Sequence, residues 1–174
     1  MATLGTADAV QHPNIEQTRW RIDPARSRVA FRARTYWGLM TVNGEFERYT
    51  GTLDLEVQPA IELTIDAASL NTQNKLRDRH LRSADFFDVA RHPDVRFTSE
   101  TASLDGEQLK VRGQLEAAGH SITLELSAFV RRVGDELEID ATTHVDHEQL
   151  GMSWSKLGLI PTPTELIVHG RLVR

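Results

Sequence analysis

The chain has 174 residues, a formal charge of -5 and no cysteine. This length fits a single domain of ordinary size, and the absence of cysteine excludes disulfides, thiolate nucleophiles and cysteine-ligated zinc. An acidic chain has no bulk electrostatic attraction to nucleic-acid phosphates or to anionic membrane surfaces, so neither nucleic acid nor a charged membrane is expected as a partner.

The first eighteen residues differ from the rest of the chain. They carry polar and acidic residues such as Asp8 and Glu16 where a secretory signal would have a basic start and an apolar run. We therefore predict a flexible N-terminal leader over 1–18, one domain over 19–174 and a cytoplasmic location. No later stretch approaches the ~18 consecutive apolar residues of a spanning helix, so stable membrane insertion is not expected.

From residue 18 onward the dominant pattern is a strict alternation of apolar and polar residues. In the first clear case, Val29, Phe31 and Ala33 alternate with three arginines. Such alternation predicts strands with one buried and one solvated face. The segments concerned are 18–22, 27–34, 52–57, 61–67, 95–100, 107–115, 121–130, 136–141 and 164–173.

Glycine-containing dipeptides separate several of these segments. Asp105-Gly106 and Gly134-Asp135 predict hairpin turns, Ala118-Gly119 breaks two strands, and Asn43-Gly44 fits either a turn or a bulge. Successive strands with turns every 8–12 residues favour an all-β sandwich or barrel. About eight antiparallel strands can close into a barrel that holds side chains or one apolar ligand, and alternation alone does not separate a packed interior from a hollow one.

The stretch from Arg77 to Pro93 breaks the two-residue period. Apolar and charged residues recur four apart between Asn71 and Ser83, which predicts a short helix, capped at Asn71 or Thr72, over one end of the barrel. Asp78 and Arg82 are expected to form an ion pair on its surface. The two phenylalanines that follow, Phe86 and Phe87, are predicted to close or line that end.

The histidines and acids do not form a recognisable catalytic or metal motif. Asp78 and His80 would point to different sides of a helix, and no nucleophile lies at a useful spacing. On a strand, His144 and Asp146 would share a face while His147 points away, so the three would not chelate one metal. No catalytic residue, metal ligand or cofactor is therefore predicted.

Several motifs together resemble the YceI-like family of lipocalin-like, polyisoprenoid-binding proteins. They are W-x-I-D-P-x-x-S-x-V-x-F from Trp20, V-N-G-E-F-x-x-Y-x-G-x-L from Val42, R-D-x-H-L-x-S-x-D-F-F-D from Arg77 with H-P-x-V-x-F-x-S after it, and L-G-M-S-W-S from Leu150. Two positions depart from the family pattern: Tyr36 stands where a histidine is frequent, and His147 aligns with a frequent arginine.

The resemblance implies an extended antiparallel lipocalin-like β-barrel with an internal pocket for an isoprenoid chain, such as a quinone tail or its precursor. It predicts non-catalytic binding and carriage of that lipid, and a homodimer is compatible with a barrel of this size. The candidate ligand-binding residues are the inward members of the clean strands, the two helix-end phenylalanines and a tryptophan at the mouth: Phe31, Phe46, Leu53, Leu55, Leu63, Phe86, Phe87, Phe97, Leu124, Leu126 and Trp154.

Two alternatives stay open at the level of sequence. One is a small barrel enzyme that acts on a lipid-like substrate through the histidine and aspartate clusters. The other is a packed interaction module without a ligand. For any single candidate residue, ordinary core packing explains the same apolar pattern.

Overall fold

A computed structural model describes residues 19–35, 40–56, 58–152 and 163–174. These residues form eleven strand segments and one α-helix. The strands are β1 (Arg19–Ile22), β2 (Arg28–Thr35), β3 (Met40–Phe46), β4 (Tyr49–Asp54), β5 (Ala60–Asp66), β6 (Leu70–Asn71), β7 (Asp94–Asp105), β8 (Gln108–Ala117), β9 (His120–Val133), β10 (Glu136–Val145) and β11 (Thr164–Val173), and the helix is α1 (Lys75–Arg82).

The eleven segments make one closed antiparallel barrel. The sheet runs in the order β1-β4-β5-β7-β8-β9-β10-β11-β2-β3-β6, and β11 also pairs with β1, for example Arg21 with Val173. Because β1 and β2 both run antiparallel to β11, they are two parts of one interrupted strand. The same holds for β3 with β4 and for β5 with β6, so the wall contains eight long strands and the predicted fold class is confirmed.

The three interruptions lie side by side in neighbouring strands. A 3₁₀ turn at Pro24–Arg26 breaks the first strand, and another at Ala67–Ser69 breaks the third. Between them, Glu47 N–H donates to the Ser69 carbonyl and Arg48 N–H donates to Ser69 Oγ. The backbone N–H groups of Glu47 and Arg48, between β3 and β4, are therefore paired locally with Ser69.

The turns predicted at three of the four glycine-containing dipeptides are present. Gly106 and Gly134 have φ of 58° and 63° in the β7–β8 and β9–β10 turns, and Ala118 and Gly119 have φ of 50° and 79° between β8 and β9. By contrast, Asn43-Gly44 is neither a turn nor a bulge. Both residues lie inside β3, where Gly44 pairs with Phe31.

Helix α1 is present over one end of the barrel but begins later than predicted. Asn74 is its cap and accepts a hydrogen bond from Arg77 N–H at 3.1 Å, so neither Asn71 nor Thr72 has that role. The predicted surface ion pair is also wrong. Asp78 is buried and accepts from both the N–H and the hydroxyl of Thr72, while Arg82 donates to two backbone carbonyls.

The two ends of the barrel differ in their packing. We call the end that carries α1 the helical end and the end that carries the β7–β8 and β9–β10 turns the hairpin end. The hairpin end is filled, since its inward side chains are almost without solvent exposure and the guanidinium of Arg174 lies 5.0 Å from the Trp20 ring centre. These side chains are Trp20, Leu53, Leu109, Val130, Leu137 and Leu172. Within the described ranges, no helix is long and apolar enough to cross a bilayer.

Candidate functional site: an apolar cavity inside the barrel

An apolar cavity of about 170 Å³ lies inside the barrel, between its middle and the helical end. Side chains from both halves of the wall and from the segment after α1 surround it. An engineered apolar cavity of roughly 150 Å³ is known to stay dry and to bind benzene, so this volume suits a hydrocarbon group. The described lining residues are Val29, Ala30, Phe31, Phe46, Ile61, Leu63, Ile65, Phe87, Val95, Phe97, Leu115, Ala117, Leu124, Leu126, Ala128, Ile139, Ala141, Thr143, Val145, His147, Leu150, Met152, Thr164, Leu166 and Val168.

The cavity exists because small side chains meet in one row of the wall. Ala128 on β9 pairs with Ala141 on β10, and Ala141 pairs with Val168 on β11. Several inward aliphatic side chains beside this row are only half-buried, although they point away from the outer surface: Ile61, Leu63, Leu126, Ile139, Leu166 and Val168. Atoms that face unfilled space lose part of their dispersion contacts, so filling this space with a ligand would be favourable.

Three phenylalanines form an aromatic group toward α1. The Phe31 and Phe46 ring centres lie 5.6 Å apart, and Phe87 meets Phe46 edge-on at 6.0 Å. Such tilted and edge-on arrangements are the favourable ones for aromatic rings. Phe87 is held in place because its N–H donates to the carbonyl of Leu81 in the helix, at 3.1 Å. The helix segment therefore contributes one wall of the cavity directly.

Only three described lining residues have polar side chains, and they lie in one corner. Thr143 is on β10, His147 is in a 3₁₀ turn at His147–Leu150, and Thr164 begins β11. Because Val145 pairs with Thr164 and Thr143 with Leu166, the two threonines are diagonal neighbours on the inward face. His147 Nδ1 lies 3.2 Å from Thr164 Oγ1, within hydrogen-bond distance. We call these three residues the polar corner.

The surroundings of His147 favour its neutral form. Burial lowers the pKa of its imidazole below the ordinary value, and the nearby carboxylates of Asp146 and Glu148 oppose this effect only in part. No lysine, arginine, aspartate or glutamate is among the described residues that line the cavity. The polar corner therefore offers hydrogen bonds without a full charge.

The comparison with known proteins agrees with this architecture. A family model described as the YceI-like domain matches residues 20–171. The chain belongs to this family. The resemblance found in the sequence motifs is thereby confirmed.

Curated relatives of the YceI-like domain are about one-third identical to this chain over the region that matches. Protein YceI of Escherichia coli O157:H7 is 35% identical over 103 residues, which cover 57% of this chain and 54% of that protein. UPF0312 protein ECA1782 of Pectobacterium atrosepticum is 32% identical over 112 residues, covering 62% and 58%. The matched region is thus little more than half of each relative's length.

Solved structures share the barrel at lower sequence identity. Burkholderia cenocepacia BcnA superposes with a TM-score of 0.78 at 18% identity, over 88% of this chain and 99% of that one. A polyisoprenoid binding domain from Saccharophagus degradans, implicated in plant cell wall breakdown, gives 0.74 at 13% identity, over 91% and 99%. At these identities the likeness shows a common fold.

The YceI-like domain places seven of the predicted ligand-binding residues around the cavity. They come from five strands and from the segment after α1: Phe31, Phe46, Leu63, Phe87, Phe97, Leu124 and Leu126. That these side chains contact a ligand remains a prediction. Trp154 lies outside the described residues.

Three predicted residues of the YceI-like domain are not among the lining side chains. Leu53 and Leu55 are 1% and 5% exposed and belong to the packed core, because Leu53 lies near the end of β4 and Leu55 just after it, toward the hairpin end. Phe86 is 2% exposed and packs against the His80 ring at 5.0 Å, so only the second phenylalanine of the pair reaches the cavity. The structure therefore places these three side chains in the core and not in the cavity wall, where they were predicted.

The polar corner was missed because the apolar alternation is clear only over 136–141, whereas β10 continues to Val145 with a polar threonine on its inward face. β10 ends at Val145, and Asp146 then caps the 3₁₀ turn by accepting a hydrogen bond from Glu148 N–H at 3.0 Å. His147 has the same parity as Thr143 and Val145, so alternation also predicts an inward position for it, and the turn keeps it on that face. This shared parity with the apolar residues of β10 was the available signal.

The histidine and aspartate groups of the enzyme alternative do not converge. His144 is exposed on β10 while His147 is buried at the polar corner. The Asp78 carboxylate accepts two hydrogen bonds from Thr72, and the His80 ring packs against Phe86. Across the described ranges, no three histidine or acidic side chains are placed to hold a metal ion.

Proposed function

We propose that this YceI-like domain binds and carries an apolar lipid chain, of the polyisoprenoid class, inside its barrel. The observation that carries this proposal is the cavity itself, because its wall is apolar except at one corner and six of its inward aliphatic side chains are only half-buried. A solved neighbour with the same fold is a polyisoprenoid binding domain, which supports the choice of ligand class.

The energetics favour a branched hydrocarbon chain. Each buried CH₂ group contributes roughly 0.8 kcal/mol, so one five-carbon isoprene unit contributes roughly 3–4 kcal/mol. Association and ordering cost about 4–15 kcal/mol, so a few buried units outweigh most of that cost without a polar contact. Double bonds and methyl branches also limit the freedom that the chain loses on binding.

The polar corner supports an uncharged end group on this ligand. A quinone ring or an alcohol can exchange hydrogen bonds with Thr143, Thr164 or a neutral imidazole. A phosphate or carboxylate in the same place would be a buried charge without a cation from the described lining, which is strongly unfavourable. We therefore propose an isoprenoid quinone or alcohol rather than a charged precursor.

The proposed role is carriage without catalysis. The described residues of the cavity wall provide no carboxylate and no lysine, and their only groups capable of nucleophilic or acid–base chemistry are the two threonines and the single histidine of the polar corner. A cytoplasmic site of action and a homodimer remain predictions from the sequence.

A cavity-filling substitution tests the proposal. Ala141→Phe places a ring in the cavity, and the matched control Thr142→Phe places the same ring on the exposed face of the same strand. Each protein is incubated with a long-chain isoprenoid quinone in mild detergent and analysed by native mass spectrometry. We expect a quinone adduct for the wild type and the control, and at least a tenfold weaker one for Ala141→Phe, since the site is occupied.

Two outcomes would contradict the proposal. One is the absence of an adduct on the wild-type protein. The other is equal binding by Ala141→Phe and Thr142→Phe, which would place the quinone outside the cavity. In a parallel measurement, the alcohol of the same chain should bind better than its phosphate; the reverse order would overturn the uncharged end group.

A further inference from the structure

The outward face of α1 exposes an apolar residue between two cations. The helix buries Asp78 and Leu81, while Lys75, Leu76 and Arg79 face solvent. Leu76 is 75% exposed, the largest value among the exposed large hydrophobic side chains in the described residues. We call Lys75, Leu76 and Arg79 the outer face of α1.

The charge of this helix is opposite to that of the whole chain, so the expectation of no attraction to anionic membranes, which rests on the net charge, does not apply to this face. The protein has a net charge of -5, yet α1 carries four lysine and arginine residues and one acid. That acid, Asp78, is buried and hydrogen-bonded to Thr72. Among the described residues, no carboxylate lies within ion-pair distance of Lys75 or Arg79, although exposed Asp85 lies 3.8 Å from His80 Nε2. The outer face is therefore locally basic.

The outer face also lies at the end of the barrel where the cavity is. Phe87, which lines the cavity, follows α1 and is tied to it by the hydrogen bond to Leu81. Arg77 and Arg82 bind the helix to the wall through the carbonyls of Thr72, Ala68 and Leu70. The hairpin end is packed, so an apolar ligand would enter or leave near α1.

We infer that the outer face of α1 docks this protein reversibly on an anionic lipid bilayer. Lysine and arginine near such a surface are attracted by its negative potential, and an exposed leucine can enter the boundary between head groups and acyl chains. A single leucine and two cations give weak binding to the bilayer, which salt weakens further by screening the charges. Weak binding suits a protein that must dissociate from the membrane again. The purpose of docking, collecting or delivering the lipid, rests on the proposed function; the docking itself does not.

Vesicle binding in the absence of quinone tests this inference. The full chain is mixed with vesicles of phosphatidylcholine alone or with about 30% phosphatidylglycerol, which gives them a negative surface potential, at low and high salt, and the bound fraction is measured by sedimentation. The test variant is Lys75→Glu with Arg79→Glu. Its control is Arg21→Glu with Lys110→Glu, which makes the same charge change on exposed strand residues toward the hairpin end.

We expect the wild type and the control to bind the anionic vesicles better than the neutral ones, and high salt to release them. The helix variant should bind at least tenfold more weakly, and Leu76→Ser should lose more binding than Phe129→Ser, which removes an exposed phenylalanine from the side wall. Equal binding by the helix variant and the control would overturn the inference. So would vesicle binding that does not depend on anionic lipid.

The assay of quinone binding in detergent distinguishes the proposed ligand from the proposed docking surface. Helix variants that bind quinone normally but not vesicles support docking through α1. A wild type that binds anionic vesicles through α1 but no quinone would overturn the proposed ligand and leave the docking surface standing.

Discussion

A single glycine allows the aromatic group of the cavity to form. Gly44 faces the Phe31 ring across the β2–β3 pair, and a Cβ atom at this position would lie 2.2 Å from Phe31 Cζ. The ring therefore occupies the space that any other side chain would need. Its tilted contact with Phe46 depends on this arrangement.

Replacing this glycine should disturb the cavity more than the strand. Gly44→Ala forces the Phe31 ring to move, and we expect a loss of about 1–3 kcal/mol in the free energy of unfolding, as for other overpacked sites. Urea denaturation measures it, with Thr41→Ala on an exposed position of the same strand as the control. Exposed substitutions of that kind usually change stability by less than about 0.5 kcal/mol, and an equally small effect at Gly44 would contradict the packing described here.

His147 predicts a pH dependence of stability. Burial lowers its pKa in the folded protein, whereas the unfolded chain has the ordinary value of 6.5. As the pH falls through that value, the unfolded state takes up the proton more readily, so the folded state loses stability; above it, this residue adds no further dependence.

The comparison of wild type with His147→Gln isolates this effect. Between pH 7 and pH 5, the free energy of unfolding of the wild type should fall more than that of the variant. Urea denaturation at several pH values gives both curves. Parallel curves would show that the imidazole titrates alike in the two states, and hence that the polar corner is wet.

At the residue scale, sequence predicts which face a side chain occupies but not its height in the barrel. Alternation correctly placed Phe31, Phe46 and Phe97 inside, because successive residues of a strand point to opposite faces. The same rule places Leu53 inside, yet it lies in the filled hairpin end. Distance along the barrel axis depends on the tilt and register of all eight strands, which no single segment reveals.

At the scale of elements, α1 is stabilised by contacts that a surface helix would not need. Its buried face carries a carboxylate, and the Thr72 N–H and hydroxyl donate to that group at 2.9 and 2.6 Å. Thr72 is itself buried. The helix therefore attaches to the end of β6 through a buried polar contact as well as through Leu81.

Removal of this carboxylate should loosen the helix. Asp78→Ala leaves the buried N–H of Thr72 without its acceptor, and we expect a cost of about 1–3 kcal/mol in the free energy of unfolding. Arg79→Ala, on the exposed side of the same helix, should cost less than about 0.5 kcal/mol. Chemical denaturation measures both, and a larger effect from Arg79 would mean that the two faces of α1 are assigned the wrong way round.

The sequence correctly predicted that a helix exists here but not its orientation. The four-residue spacing from Leu76 to His80 and from Asp78 to Arg82 fits any rotation of the helix about its axis. Burying Leu76 and exposing the charges would have been the ordinary expectation. The observed rotation depends on Thr72 and on the carbonyls of Ala68 and Leu70, which become partners only when β5 and β6 are in place.

For the whole molecule, the all-β class followed directly from the two-residue period and the turns. The closure of the barrel and the presence of a cavity could not be predicted from this pattern, since a packed β-sandwich has the same alternation. Closure depends on the pairing of β11 with both β1 and β2, which are separated from it by most of the chain. The cavity depends on two alanines that meet across β9 and β10, and an alanine in a sequence does not reveal what lies opposite.

The filled hairpin end gives the barrel a floor, made by Trp20, Leu53, Leu109, Leu137 and their neighbours. An isoprenoid chain that enters from the helical end can extend only as far as this floor, and the rest of a longer chain stays outside the barrel. The depth of the cavity would then set the chain length at which affinity stops rising. Each isoprene unit that fits inside would tighten binding, and each further unit would stay outside and add nothing.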